Sequence, residues 1–185
     1  MKRETSAGVP KSALPMPDRD HIQGPIDGPI ALVEYGDYEC PYCGEAYPIV
    51  KAIQERLGDR LCFGFRNFPL VNSHPHAEHA AEAAEAAGAQ GHFWEMHDLL
   101  YENQDVLEDE YLARYAATLG LDAERLIKEV LASAHTARIR DDFRSGARLG
   151  VNGTPSFFIN GVRHDGAPSF EALLVALAHP NARRL

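Results

Sequence analysis

The chain has 185 residues, 45% of them hydrophobic, with 18 Lys and Arg against 27 Asp and Glu, a formal net charge of −9. That length suits one folded unit with room for an insertion, and the acidic balance excludes non-specific nucleic-acid binding. No apolar run approaches the roughly 18 residues needed to span a bilayer, and three cysteines are too few for a secreted disulfide framework.

In chain order, residues 1–20 are polar and spotted with Pro10, Pro15 and Pro17, which reads as a mobile tail without a packing pattern. Residues 21–29 read as a short edge strand and its exit turn. Ile30-Ala-Leu-Val-Glu-Tyr35 is a short apolar run bounded by turn residues, the pattern of a central buried strand. A helix is expected from Pro41, because proline at a first helical position lacks only an N–H that would be unpaired there anyway. Ala46, Ile49, Val50 and Ile53 give that helix its apolar face, and Gly58 ends it. Leu61, Phe63 and Phe65 alternate as in a strand.

From about residue 75 to 148 the pattern is helical throughout. Ala77 to Ala89 is alanine-rich and suited to close packing. Phe93, Met96, His97 and Leu100 share one face, as do Leu112, Tyr115, Ala116 and Leu119, then Leu126, Ile127, Val130 and Leu131 with Asp122 as N-cap. Ile139 and Phe143 mark a last helix of this block. Strand signals return at Ser156-Phe-Phe-Ile159, and Asn160-Gly161 predicts a type I′ hairpin into Val162-Arg-His164. Ser169 caps a final helix carrying Phe170, Leu173, Leu174 and Leu177. The fold class is therefore α/β: a strand–helix–strand unit with a parallel crossover, a helical insertion, then an antiparallel hairpin on the same sheet. The divisions fall at 1–20, 21–70, 71–148 and 149–180.

The chemistry centres on Cys40-Pro-Tyr-Cys43, which lies between the first long strand and its helix. Two cysteines at this spacing suit disulfide exchange, in which one sulfur attacks and the other resolves the mixed disulfide. Cys40 is expected at the helix N-terminus, where unpaired N–H groups and the helix dipole favour a thiolate, with Asp37 and Glu39 opposing it. Half of a zinc site is one alternative, with Cys62 and a histidine to complete it. It lacks a second CxxC, and Cys62 falls inside a strand. An inert structural disulfide is another. A second feature is Thr154-Pro155 directly before a strand, an awkward place for proline; a cis peptide bond is one solution, and an ordinary trans proline in a turn is the other. His74, His76 and His79 flank a helix start at Pro75 and read as surface or capping residues. Phe93-Trp94 reads as an anchor of the helical block.

Together, Cys40-Pro-Tyr-Cys43 after a strand, Thr154-Pro155 before Phe-Phe-Ile and the helical block between them resemble the DsbA-like thiol–disulfide oxidoreductases of the thioredoxin superfamily. The resemblance covers about residues 25 to 178. It implies a thioredoxin fold with an all-helical insertion, Cys40 as attacking thiol and Cys43 as resolving thiol. It also implies a cis-proline loop at Thr154-Pro155 that pairs with substrate, and places Pro41 and Tyr42 on the substrate side. Glu34, six residues before Cys40, matches the family's buried acidic residue, which takes or relays the Cys43 proton. A carboxylate on a buried strand has a raised pKa and can serve as such a base. DsbA itself has histidine where this chain has Tyr42 and valine where it has Thr154. The resemblance therefore implies a less oxidising couple here.

The implied activity is disulfide exchange with protein thiols or disulfides, with no metal or organic cofactor and an electron partner the sequence does not name. Its alternatives are a reductase or isomerase, a glutathione-linked enzyme, or a non-catalytic binding or chaperone module on the same fold. As given, Met1-Lys-Arg-Glu-Thr-Ser is not followed by an apolar segment, so the expected place is the cytoplasm, or the periplasm if a signal or anchor was removed.

Overall fold

The structure, a computed structural model, describes residues 13–178. Its elements run β1 (His21–Gln23), β2 (Ile30–Gly36), α1 (Pro41–Leu57), β3 (Leu61–Asn67), α2 (Ala77–Gly88), α3 (Phe93–Glu102), α4 (Asp109–Thr118), α5 (Ala123–Leu131), α6 (Thr136–Arg148), β4 (Ser156–Ile159), β5 (Val162–His164) and α7 (Phe170–Ala178). The five strands form one sheet in the order β1-β3-β2-β4-β5. β2 and β3 are parallel, joined through α1, while β1, β4 and β5 pair antiparallel with their neighbours. This is the thioredoxin fold, and α2 to α6 enter between β3 and β4 as the helical insertion.

Local sequence accounts for most of these elements. Asn160 and Gly161 both have positive φ, 46° and 79°, as a type I′ turn demands between β4 and β5. Asp122 Oδ1 accepts a hydrogen bond from Arg125 N at 2.9 Å and so caps α5. In α2, Ala80, Ala83, Ala84, Ala86 and Ala87 are buried, and their small side chains let the helix lie against its neighbours in the insertion. Pro48 falls inside α1, which runs through it at the cost of the bond that Gly44 C=O would receive.

Side chains alternate across the pleat, and both faces of the sheet are covered. Leu32, Glu34, Phe63, Phe65, Phe157 and Ile159 face the larger core with α1, α7 and the insertion. Val33, Tyr35 and Phe158 face a smaller core with Phe68, Val151 and Ala13. Both β2 and β3 are therefore buried on two sides, and Leu61, Phe63 and Phe65 share one of them.

Three expectations need correction. Residues 13–20 are held to the sheet at both ends, although Met16, Pro17 and Asp18 between them are exposed, and are not a free tail. Ala13 and Asp20 are buried, and both Asp20 oxygens receive Arg66, at 2.9 and 2.7 Å. Arg66 is itself wholly buried on β3, and a polar segment held by such an ion pair leaves no apolar periodicity to read. The rest of the expected tail, residues 1–12, and the last two residues of the 149–180 division lie outside the described residues. Leu131, expected on the apolar face of α5, is 62% exposed, because that face is filled by Leu126 and Val130 and the helix ends there. The histidines are treated below.

Candidate active site

A short turn of residues 37–40 joins β2 to α1 and delivers Cys40 to the helix N-terminus as its N-cap, with Pro41 at the first helical position. Cys40 and Cys43 are both reduced and buried. Tyr42, between them, is 66% exposed and stands at the mouth of the site beside exposed Pro41.

The two sulfurs are driven apart chemically. The Cys43 thiol, hydrogen-bonding toward Cys40, lowers the Cys40 pKa to about 5, against the opposing effect of burial. Thr154 and the N–H groups of Cys43 and Tyr42 add to the lowering, as expected of a helix N-terminus. Burial pushes the Cys43 thiol well above its ordinary value, helped by its hydrogen bond to Cys40 and by nearby Glu34. One cysteine is thus held as a thiolate at neutral pH and its neighbour as a thiol.

The loop before β4 closes the site from the other side. The Thr154–Pro155 peptide bond is cis, and Cys40 Sγ lies 3.4 Å from Thr154 O. Thr154 Oγ1 is buried without a hydrogen-bond partner among the described residues, so its hydroxyl is free to donate to an ionised sulfur. Arg163 of β5 holds this loop by donating to Gly150 O and, at 3.2 Å, to Asn152 Oδ1, and Ser156 Oγ donates to Gly153 O at 2.8 Å.

Beneath the pair, Glu34 sits opposite Phe65 and Phe157 in the middle of the sheet, 2% exposed. Burial raises its carboxyl to about 8, and its Oε1 has no hydrogen-bond partner among the described residues. The buried Tyr101 hydroxyl is likewise unpartnered, and it stands close enough to Cys43 and Glu34 to feel their charges. Below the Cys43 thiol the site therefore contains a buried carboxyl whose pKa of about 8 lets it hold or take a proton near neutral pH.

Glu34, Cys40, Pro41, Tyr42, Cys43, Thr154 and Pro155 thus meet in one place. Asp37 and Glu39 do not simply oppose the thiolate. Asp37 is buried; its Oδ1 accepts from Glu39 N at 2.9 Å, and its Oδ2 accepts from Leu70 N at 2.8 Å and His74 Nδ1 at 2.7 Å. Glu39 Oε2 accepts from His76 N at 2.5 Å. Of the histidine run, His76 stands at the N-cap position of α2, though without a side-chain cap hydrogen bond, and His79 pairs with Asp109 at the surface; only His74 departs from the expectation, its side chain largely covered and paired with Asp37. Among the described residues no group of three or more potential ligands could hold a metal ion, and Cys62 lies buried on the sheet face opposite Glu34.

Gln104, which follows α3 in the insertion, escaped sequence reasoning. Its Nε2 donates to Tyr38 O at 2.7 Å and Cys40 O at 3.0 Å, tying the insertion to the turn that carries Cys40. The trace of it in the sequence is Gly44: a Cβ there would lie 1.9 Å from Gln104 Oε1. Phe93 and Trp94 do anchor the insertion, Phe93 on Phe65 at 6.2 Å and Trp94 on Phe63 at 5.7 Å between ring centroids.

A family model described as thioredoxin matches residues 17–178. The chain is similar in structure to a thioredoxin-like oxidoreductase from Silicibacter pomeroyi DSS-3, with TM-score 0.81 and 28% identity, covering 92% of this chain and 97% of that one. It is also similar to alpha-DsbA1 of Wolbachia pipientis, with TM-score 0.77 and 22% identity, covering 89% and 92%, a likeness of fold. In sequence it is 46% identical over 175 residues to the Na(+)/H(+) antiporter NhaA 3 of Salinispora tropica, which is 93% of this chain but 26% of that protein. The chain spans about a quarter of the length of such curated relatives. No helix among the described residues is long and apolar enough to cross a membrane.

Proposed function

The chain belongs to the thioredoxin family, with DsbA-like oxidoreductases among its structural neighbours, and we propose that it exchanges disulfides with protein substrates through Cys40 and Cys43. The observation that carries this reading is the asymmetry of the pair: Cys40 is lowered to about 5 while its neighbour Cys43 is pushed well above its ordinary value. That is what a nucleophile and its resolving partner require.

In the oxidising direction a substrate thiolate attacks Cys40 Sγ of the Cys40–Cys43 disulfide. The S–S bond breaks, and Cys43 leaves with the electron pair and takes up a proton, which the Glu34 carboxyl can supply. A second substrate thiolate then attacks the substrate sulfur of the mixed disulfide and releases Cys40, a good leaving group because its thiolate is stabilised. Substrate leaves with its disulfide, and the protein holds the two electrons until an electron partner removes them. In the reducing direction Cys40 attacks, and Glu34 as carboxylate takes the Cys43 proton so that Cys43 can resolve. Thr154 presents backbone, and Pro41 and Tyr42 present surface, to the substrate chain.

The test is a pair of variants in oxidation of a reduced protein and in reduction of a disulfide-bonded one. Cys40→Ala is expected to abolish both, and Cys43→Ala to accumulate a mixed disulfide with substrate on Cys40. Full activity of Cys40→Ala in either assay contradicts the reading, and turnover with glutathione alone would favour a glutathione-linked enzyme.

A second reading rests on the 46% identity with one quarter of an antiporter: the fold serves as a redox module of a membrane transporter. Under it, the substrate trapped on Cys43→Ala is an integral membrane protein rather than a soluble one.

A further inference from the structure

The residues between the two cysteines, Pro41 and Tyr42, carry no charge, yet a titratable pair stands behind Cys40. Asp37 opens the turn that leads into α1, and its carbonyl accepts Cys40 N at 3.2 Å. Its buried carboxylate receives His74 Nδ1 at 2.7 Å from the loop between β3 and α2. One residue therefore touches both the backbone of Cys40 and the imidazole of His74. The arrangement is fixed from several directions, since Asp37 also holds Leu70 N and Glu39 N, and Glu39 holds His76 N.

We propose that His74 is a positioning residue for the disulfide exchange, which acts through Asp37 to set the charge that the Cys40 thiolate meets and so how strongly the reduced form is favoured. This rests on the Cys40/Cys43 reading above. The charged and titratable groups facing His74 are Asp37, Glu39 and Cys40 from the β2–α1 connection and its neighbour His76 on its own loop. When Nε2 is protonated, the imidazolium offsets the Asp37 carboxylate. When His74 is neutral, the buried Asp37 carboxylate keeps its N–H donors but has no positive partner, and its charge opposes the one that forms on Cys40.

The effect is reciprocal. Although partial burial of the ring works in the other direction, the hydrogen bond to Asp37 and the charges of Asp37, Cys40 and Glu39 raise the His74 pKa above its ordinary value. Conversion of the pair to the disulfide removes the Cys40 charge and no other. The affinity of His74 for its proton must then fall by the same factor by which its protonation favours the thiolate. A histidine that only braced the loop would hydrogen-bond to Asp37 equally well in both redox states.

The experiment follows the His74 ring proton by NMR against pH in the oxidised and the reduced protein, both unmodified, so that no variant has to fold. In the same samples, exchange with glutathione disulfide reports whether Cys40 reacts. The expected result is a higher His74 pKa in the reduced form. His74→Gln, which can still donate to Asp37, is expected to raise the Cys40 pKa and to weaken the equilibrium preference for the reduced pair against glutathione by roughly two- to tenfold. An identical His74 titration in both redox states overturns the proposal, as does an unchanged Cys40 pKa in His74→Gln, and both leave the exchange activity standing. Failure of Cys40 to exchange with either glutathione disulfide or a disulfide-bonded protein overturns the reading on which the proposal depends.

Discussion

β2 and β3 carry two buried polar clusters on opposite faces of one sheet, built from consecutive residues. Glu34 turns to the cysteine face and Tyr35 to the other, as their register partners Phe65 and Arg66 do. On the far face Arg66 donates to both Asp20 oxygens, to Leu14 O at 2.9 Å and to Tyr35 Oη at 2.7 Å, and Tyr35 Oη continues to Ser145 Oγ at 2.8 Å. On the cysteine face Glu34 Oε1, Tyr101 Oη and Thr154 Oγ1 have no partners among the described residues. A saturated cluster specifies and secures structure, whereas unsatisfied buried groups cost stability and persist where chemistry uses them. The difference separates the face of this sheet that holds the fold from the face to which the proposed exchange is assigned.

The largest expected effect falls on the saturated side. Arg66→Met leaves the buried Asp20 carboxylate with only the distant Arg19, 4.0 Å away, as cation and is expected to cost roughly 3–5 kcal/mol of folding stability, read by denaturant unfolding. The folded fraction should still react through Cys40. A loss of reactivity without a loss of stability would mean that the two faces are not separable in this way.

On the cysteine face, Glu34 predicts a pH dependence. Its folded pKa of about 8 lies above its ordinary 4.5. Its contribution to stability is therefore complete below 4.5 and is lost as pH rises through 8. Between those values the protein should lose stability relative to Glu34→Gln with a slope approaching about 1.4 kcal/mol per pH unit. Parallel stability–pH curves for the two proteins would place the carboxyl in a solvated or paired setting. The same variant should slow release of the mixed disulfide in the reducing direction, since no base then serves Cys43.

A smaller effect tests the link between insertion and motif. Gly44→Ala drives a methyl into Gln104 and displaces the amide from Tyr38 O and Cys40 O, at an expected cost of about 1–2 kcal/mol. Gln104→Ala should lose a similar amount by breaking the same two bonds. If both are neutral, Gln104 does not secure the motif.

The cysteine side was the more legible in sequence, because its residues sit at fixed spacings. Glu34, Cys40 and Cys43 follow one another along a strand and the start of a helix, and Thr154-Pro155 announces itself by standing where a strand should begin. The Asn160-Gly161 turn and the Asp122 cap were legible for the same reason: each is a local choice with a local cause. What stayed hidden was held together across the chain. Arg66 reads as one cation in an apolar strand, and nothing in residues 13–20 reveals that Asp20 meets it. His74 looks like a surface residue until the loop after β3 is laid against Asp37, and Gln104 looks like any polar residue of a connection. Leu131 fits the helical period and misses the core, because periodicity finds a face without saying where the neighbouring helix stops covering it.

The account turns on the separation of the two thiols, and the titration of Cys40 tests it most directly. Thiolate absorbance in the ultraviolet, followed against pH in the reduced protein with Cys43→Ala as reference, is expected to show ionisation with a midpoint near 5 in the unmodified chain. Because the folded value lies below the ordinary thiol value of 9.0, the stabilisation of the reduced protein is present above that value and lost as pH falls through 5. Cys43→Ala removes the hydrogen bond that contributes most and should move the midpoint upward. A midpoint at the ordinary thiol value in the unmodified protein, with reactivity falling away below it, would contradict the account.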